Sequence, residues 1–315
     1  MIRNNKAAYS ICSNDYLPYA LSLGKSFISH HPSYQFYIFL IDENIESYSI
    51  NESIHIMSAD SYRSVDAEIM RKQYNNFELC CALKPLIADK LFKEKKEIDI
   101  LFYLDTDILV FNSFFEAEEL LLSNDIIITP HIVSPIGEDD MFPNEHVILT
   151  AGLYNAGFFG LRRSINTDDF LQWWQKRLFK YCYNDTKKGY FVDQIWLNYV
   201  PLFFKSVAIL NHPGYNIAYW NLHERKIENT GNAYKINKTY PLVFYHFSGY
   251  DPYNENLLSK HQNRYTFEKM PVLKELATQY KSELIKNNLP KENELSDNKK
   301  RWWQFLGLCF KKKYK

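Results

Sequence analysis

An α/β architecture with a mixed, mostly parallel central sheet follows from three observations in this 315-residue sequence. Short apolar runs rich in Ile, Tyr and Phe alternate with segments whose apolar residues recur at helical spacing. Strands that alternate with helices imply crossover connections, and hence parallel pairing. Third, an Asp-x-Asp pair, Asp105 and Asp107, sits toward the end of one apolar run, where open α/β sheets bind their ligands.

The first run, AAYSICS (7–13), reads as a strand, and Leu17, Ala20, Leu21, Gly24, Phe27 and Ile28 follow at helical spacing. QFYIFLID (35–42) is a β-rich run, and SIHIMS (53–58) alternates as a half-buried strand does. Leu79 to Lys93 reads as a helix interrupted early by Pro85, because a proline inside a helix removes a donor and crowds the preceding turn. The run to Asp107 reads as one strand, and two-residue spacing then points both carboxylates to the same face. DIIITP (125–130) is a further buried strand, and Ile132 to Thr150 is a loop long enough to form a lid or a binding wall. GLYNAGFFGL (152–161) is a glycine-punctuated apolar run that brings backbone close to something. The segment 166–182 reads as a helix with an Asn or Thr cap, and its Trp173 and Trp174 read as core by their spacing. Residues 1–280 are expected to form one domain, followed by a C-terminal extension over 281–315.

Lys+Arg and Asp+Glu each total 37, so no net field selects nucleic acid or another polyanion. Five cysteines, an odd number with no C-x-x-C, suggest neither a disulfide framework nor a zinc knuckle. The first ten residues lack the apolar core of a signal peptide, and no run approaches a membrane span, so the expected location is the cytoplasm. The tail differs. From Lys299 to Lys315 there are seven Lys or Arg and no acid, enclosing WWQFLGLCF. That amphipathic, basic pattern suits the anionic inner face of a cytoplasmic membrane, with a solvated or docked tail as the alternative.

Asp-x-Asp at a strand end has a bland reading, in which each side chain caps local backbone N–H groups. A metal reading needs a third ligand, and imidazole with carboxylates suits Mn²⁺ better than Ca²⁺. Among nine histidines, His246 stands out because it ends the apolar run PLVFYH and precedes Ser248 and Gly249, a turn that allows close approach. His212 and His131 are weaker candidates.

Four motifs in order, YLDTDILV, YNAGFFGL, FVDQIWLN and HFSG, resemble glycosyltransferase family 8, the sugar-nucleotide-dependent enzymes related to glycogenin and the lipopolysaccharide galactosyltransferases. The wider pattern over about residues 7–265 looks closer still to glycosyltransferases of bacterial surface-polysaccharide clusters. The resemblance implies a GT-A fold, the Rossmann-like fold of nucleotide-diphospho-sugar transferases, and a catalytic role for the 1–280 domain. It implies Asp105, Asp107 and His246 as ligands of Mn²⁺ or Mg²⁺, with Asp105 also near the donor ribose. Asn155, Ala156 and Gly157 match its donor-sugar contacts, and Asp193 and Gln194 match the pair beside the anomeric carbon. Lys84 stands where a donor-contacting basic residue stands in relatives. Ser13, Asn216 and Gly249 join the expected donor-binding set.

The implied reaction moves a hexose from a nucleoside-diphosphate sugar, UDP favoured, to a glycan or lipid-linked acceptor with retention of configuration. Two departures stand out. Ser13 lies near the place of an acid that helps hold the nucleoside, and HFSGYDPY lacks the lysine expected to contact the diphosphate. Lys84 or Arg264 would have to substitute for that lysine. Two rivals remain: a dehalogenase-type phosphotransferase, disfavoured by Leu109 where its motif wants Thr or Val, and a catalytically silent sugar-nucleotide or glycan-binding module.

Overall fold

The computed structural model describes residues 5–42, 46–59, 65–254 and 256–294. Its amino-terminal half contains strands β1 (Asn5–Cys12), β2 (Gln35–Leu40), β3 (Tyr48–Ser49), β4 (Ile54–Ser58), β5 (Ile98–Leu104), β6 (Ile108–Val110), β7 (Ile126–Pro130) and β8 (Tyr154–Arg162). Between them run helices α1 (Leu17–His30), α2 (Val65–Gln73), α3 (Asn76–Glu94), α4 (Phe115–Ser123) and α5 (Glu145–Ala151). The remainder holds α6 (Ile165–Tyr181), the short pair β9 (Asn184–Asp185) and β10 (Tyr190–Phe191), α7 (Val200–Phe203) and β11 (Val207–Ile209). A small meander of β12 (Ile227–Asn229), β13 (Tyr234–Ile236) and β14 (Tyr240–Pro241) precedes β15 (Phe244–His246) and α8 (Pro271–Lys286).

Eight strands form one sheet in the order β11-β7-β8-β5-β1-β2-β4-β3. The pairs β5–β1, β1–β2, β2–β4 and β11–β7 are parallel. β8 is antiparallel to both β5 and β7, and β3 is antiparallel to β4. Alternation along β5 divides the core. Leu101 and Tyr103 share one cluster with Leu83 and Ile87 of α3 and Trp174 of α6, whereas Phe102 and Leu104 share another with Phe27 of α1 and Leu121 of α4. The sheet is therefore covered on both faces, which explains why its strands read as nearly unbroken apolar runs. Trp174 is fully buried, as its helical spacing implied.

The run expected as one strand from Leu101 onward is broken. The Asp105 amide makes a ladder bond to the Gly157 carbonyl at 2.8 Å, and the chain then turns through Thr106 and Asp107. It leaves the large sheet as β6, which pairs antiparallel with β15 so that Ile108 lies opposite His246. Apolar residues on both sides of the turn hid the break, because each short strand buries its side chains.

Three further expectations change. Pro85 does not interrupt α3, which runs from a capping box at Asn75 to Glu94 with Pro85 buried inside it, so packing outweighs the lost hydrogen bond. The cap of α6 is Ser164, whose side chain accepts the Thr167 amide, rather than an Asn or Thr within the helix. The expected loop 132–150 contains most of α5, capped by Asn144, which accepts the Val147 amide at 3.0 Å. α8 buries Leu273, Leu276, Ala277, Tyr280 and Leu284 and crosses residue 280 without a break. The basic tail at 299–315 lies outside the described residues.

Candidate active site

Asp105 and Asp107 flank the turn at the carboxyl end of β5, and the β6–β15 register brings His246 to them. His246 Nε2 is 3.0 Å from an Asp107 oxygen and 4.0 Å from an Asp105 oxygen. One ligand atom from each of the three residues lies within 4.8 Å of the others. Burial would make His246 less basic, but Asp107, aided by Asp105, holds it above the ordinary histidine range. For Asp107 burial works upward, and His246 with Lys260 prevails, leaving the carboxyl below its usual value.

These residues fit a divalent cation. Two partly exposed carboxylates and an imidazole are a donor set of the kind Mn²⁺ or Mg²⁺ accepts. The space they enclose is kept open by Gly157, where a Cβ would stand 2.5 Å from His246 Cε1 and 2.8 Å from Asp105 Oδ2.

Behind the pair lies Lys84, carried by α3. Its ammonium is 3.2 Å from Asp105 and 2.8 Å from Asp193, donates to the Ala156 carbonyl at 3.0 Å and stands over the Tyr103 ring. Burial opposes its charge, yet Asp105 and Asp193 hold its pKa well above the ordinary lysine value. Asp193 is only 2% exposed, and burial pushes its carboxyl up against the pull of Lys84. The Tyr103 hydroxyl also donates to Asp105, at 2.7 Å. Val192, just before Asp193, has φ +40°, a conformation costly for a β-branched residue, held here by burial.

Beside the acids is a cluster of amides. Gln194 Oε1 accepts from the Ala156 amide at 3.1 Å and from Asn155 Nδ2 at 3.0 Å, while Gln194 Nε2 donates to the Ala151 carbonyl. Asn155 Oδ1 accepts from the Gly157 amide at 3.1 Å and from Asn216 Nδ2 at 3.2 Å. Asn216 is fully buried, and its Oδ1 is 3.1 Å from His246 Nδ1.

The structure thus places Lys84, Asp105, Asp107, Asn155, Ala156, Gly157, Asp193, Gln194, Asn216 and His246 around one point. Ser13 lies past the end of β1, which neighbours β5 in the sheet. Gly249 adopts φ +71°, and a Cβ there would meet His261 at 2.4 Å, so its glycine character serves the turn. Arg264 forks onto Asp139 at 2.6 and 2.8 Å and so braces the 139–143 segment. His212 lies with Glu116, apart from the cluster.

Trp220 and Lys260 escaped the sequence reading, and His131, a weaker ligand candidate there, takes a different place. His131 is not a ligand, but its Nε2 is 3.2 Å from Asn155 Nδ2, so it joins the amide cluster. Trp220 sets its ring edge-on to both His131 and His246, and its indole N–H is buried without a hydrogen-bond partner. Lys260 follows the Gly249 turn, and its charge reaches Asp107. The orphaned indole is a signal only coordinates show, whereas Lys260 was a lysine near the missing one.

No family model matches the chain. It is 28% identical over 188 residues to the uncharacterized protein YfnF of Bacillus subtilis (strain 168), covering 58% of this chain and 59% of that relative. The match therefore spans less than two thirds of YfnF. Identity to the uncharacterized protein YfnD of the same organism is 23% over 231 residues, 70% of each chain. Among solved structures, an active-site glutamine-to-glutamate variant of LgtC aligns with a TM-score of 0.51 at 16% identity, covering 91% of this chain and 98% of that one. The bifunctional glycosyltransferase WbbM aligns with a TM-score of 0.51 at 14% identity, covering 91% and 52%. The chain has the GT-A fold. In this GT-A frame the Asp-Asp-His cluster occupies the strand-end position that the opening motif led one to expect.

Proposed function

We propose that this protein is a metal-dependent glycosyltransferase that moves a hexose from a nucleoside-diphosphate sugar, UDP favoured, to a glycan or lipid-linked acceptor in bacterial surface-polysaccharide synthesis. The observation that carries the reading is the convergence of Asp105, Asp107 and His246 beside a buried amide and acid cradle on a GT-A fold. Bound by these three residues, Mn²⁺ or Mg²⁺ would supply Lewis-acid stabilisation of a departing nucleoside diphosphate.

The protein's own groups divide the remaining work. Lys84 neutralises Asp105 and Asp193 from behind, which fixes both carboxylates and leaves Lys84 little freedom to reach a diphosphate. Lys260, whose charge acts on Asp107, is the cation assigned to that task. Asn155, Ala156, Gly157, Asp193 and Gln194 line the place assigned to the donor sugar. Ser13 and Gly249 form the nucleoside and diphosphate edges of this proposed donor site.

Retention is assigned to same-face attack, with the departing phosphate accepting the proton of the acceptor hydroxyl. Two contacts support this assignment over a covalent intermediate. Gln194 Oε1 already accepts two N–H bonds, and amides are poor nucleophiles. Asp193 is buried and ion-paired to Lys84, so attack by its carboxylate would break that pair. Capture of a glycosyl group on Asp193 by a fluorinated donor would overturn this part.

The deciding experiment incubates purified protein with UDP-, GDP-, dTDP- and CMP-sugars, with and without Mn²⁺, and measures released nucleotide, with Asp107→Asn in parallel. Metal-dependent release from one donor, lost in the variant, is the expected result. Tight, metal-dependent nucleotide binding without turnover would instead make the protein a silent binding module.

A further inference from the structure

The backbone N–H groups of Ala156 and Gly157 can only donate, and the carbonyls of Ala151 and Leu153 can only accept. These four groups fix the orientation of every side chain in the amide cluster. The Gly157 N–H makes Asn155 Oδ1 an acceptor, so the Asn216 atom 3.2 Å from that oxygen must be the donating Nδ2. Asn216 then turns its oxygen to His246 Nδ1, 3.1 Å away. The other end agrees. The Ala156 N–H makes Gln194 Oε1 an acceptor, which requires Asn155 Nδ2 to donate there at 3.0 Å. That nitrogen also faces His131 Nε2, and His131 Nδ1 approaches the Leu153 carbonyl at 3.4 Å. At the far nitrogen of the same ring Asp107 stands 3.0 Å away and accepts from Nε2 when the ring is charged.

We infer that Asn216 is a positioning residue that keeps a proton on His246 Nδ1, so that Nε2, 3.0 Å from Asp107, is the nitrogen left to give up its proton and ligate a cation between the two aspartates. The backbone supports Asn216 in this. Its φ is +51°, a conformation asparagine tolerates far better than most residues, and Asn221 Nδ2 donates to its carbonyl at 3.0 Å. Asn216 is fully buried. It acts through His246 on one side and through Asn155 on the other, which ties the cation site to the Gln194 cradle. A histidine ligand whose second nitrogen is held by a hydrogen-bond acceptor binds metal more tightly, and removing that partner costs typically about 10–100-fold in affinity.

The inference takes its functional meaning from the metal-dependent reading above, but its test does not depend on turnover. Full-length protein labelled with ¹⁵N-histidine is examined without metal at pH 9 by long-range ¹H–¹⁵N correlation, with His246→Gln used to assign the ring. The expected spectrum shows His246 protonated on Nδ1, facing Asn216, with or without a second proton on Nε2 toward Asp107. A ring protonated on Nε2 alone, with a bare Nδ1, overturns the inference.

Mn²⁺ binding is then measured by electron paramagnetic resonance on wild type, Asn216→Leu and Asn216→Asp. Asn216→Leu is expected to lose the single tautomer and to bind Mn²⁺ about 10–100-fold more weakly. Asn216→Asp keeps an acceptor for Nδ1–H and tolerates the same backbone, so it should retain the tautomer. A folded Asn216→Leu protein with wild-type Mn²⁺ affinity overturns the inference. Should that variant not fold, the wild-type and Asn216→Asp spectra decide. Failure of the wild type to bind Mn²⁺ would sink the metal reading, while the ring spectrum would still judge the role of Asn216.

Discussion

Removing a charge from this site has opposite meanings at two neighbouring residues. Asp107 is partly exposed and stands in the proposed ligand set, so Asp107→Asn should abolish Mn²⁺-dependent nucleotide release while lowering thermal stability less than the loss of a fully buried partner would. Lys84 is buried, and Lys84→Met would leave Asp193 without its counter-charge. Breaking a buried pair from one side costs about 3–5 kcal/mol, so this variant should unfold at markedly lower urea concentration. Equal stability of Lys84→Met and wild type would show that the ion pair is not a structural support. Gly157→Ala tests the shape of the same space. Its methyl would stand 2.5 Å from His246 Cε1, so Mn²⁺ affinity should fall at least about tenfold, with overpacking costing about 1–3 kcal/mol. Unchanged metal affinity in a folded Gly157→Ala protein would place the cation elsewhere. Asp105, Asp107 and His246 were legible in the sequence because carboxylates within an apolar run, and a histidine ending one, demand an explanation. Trp220 and the bond of His131 to Asn155 were not, since these contacts depend on how segments about 20 to 90 residues apart fold back on one another.

At the scale of elements, α3 links the fold to the site because it carries Lys84. Its start is held by a capping box in which Asn75 accepts the Glu78 amide and Glu78 accepts the Asn75 amide. Asn75→Ala should therefore cost about 1 kcal/mol, seen as a lower urea midpoint with an unchanged slope. Mn²⁺ affinity should stay as in wild type, since Lys84 lies more than two turns along the helix; a large loss of affinity would mean that the helix end is coupled to the site. The strands of the parallel half were readable from their apolar runs, and so were α1 and α6 from their periodicity. What periodicity cannot show is pairing direction, and the antiparallel β8 between β5 and β7 left no trace in its own residues. The turn at Asp105–Asp107 was hidden for a related reason. A strand of three residues buried on both faces, such as β6, is indistinguishable from the continuation of β5.

For the whole molecule, acid stability offers a test that does not involve the site. His31 ends α1 and joins it to α4: its Nδ1 lies 2.9 Å from the Phe27 carbonyl and its Nε2 accepts the Phe114 amide at 2.8 Å. Only a neutral ring can donate from Nδ1 and accept at Nε2 together. Burial lowers its pKa from 6.5 to about 4, the Phe27 carbonyl and Glu118 opposing only in part. Between those values the unfolded chain binds more protons than the folded one, so stability rises with pH. The contribution is complete above about pH 6.5 and declines as pH falls toward 4. From pH 7 to 4.5 the loss assigned to His31 is about 2–3 kcal/mol. His131 and His261 are displaced the same way, to about 4 and about 3, so the wild-type slope should be steeper than one histidine explains. Urea unfolding of wild type and His31→Gln at several pH values separates the terms. The variant should be less stable at pH 7 and should lose less on acidification, so that the two curves converge toward pH 4.5. Parallel curves would mean that the ring is already charged in the folded protein, and that the α1–α4 junction rests on apolar packing around Phe27 and Phe114 alone.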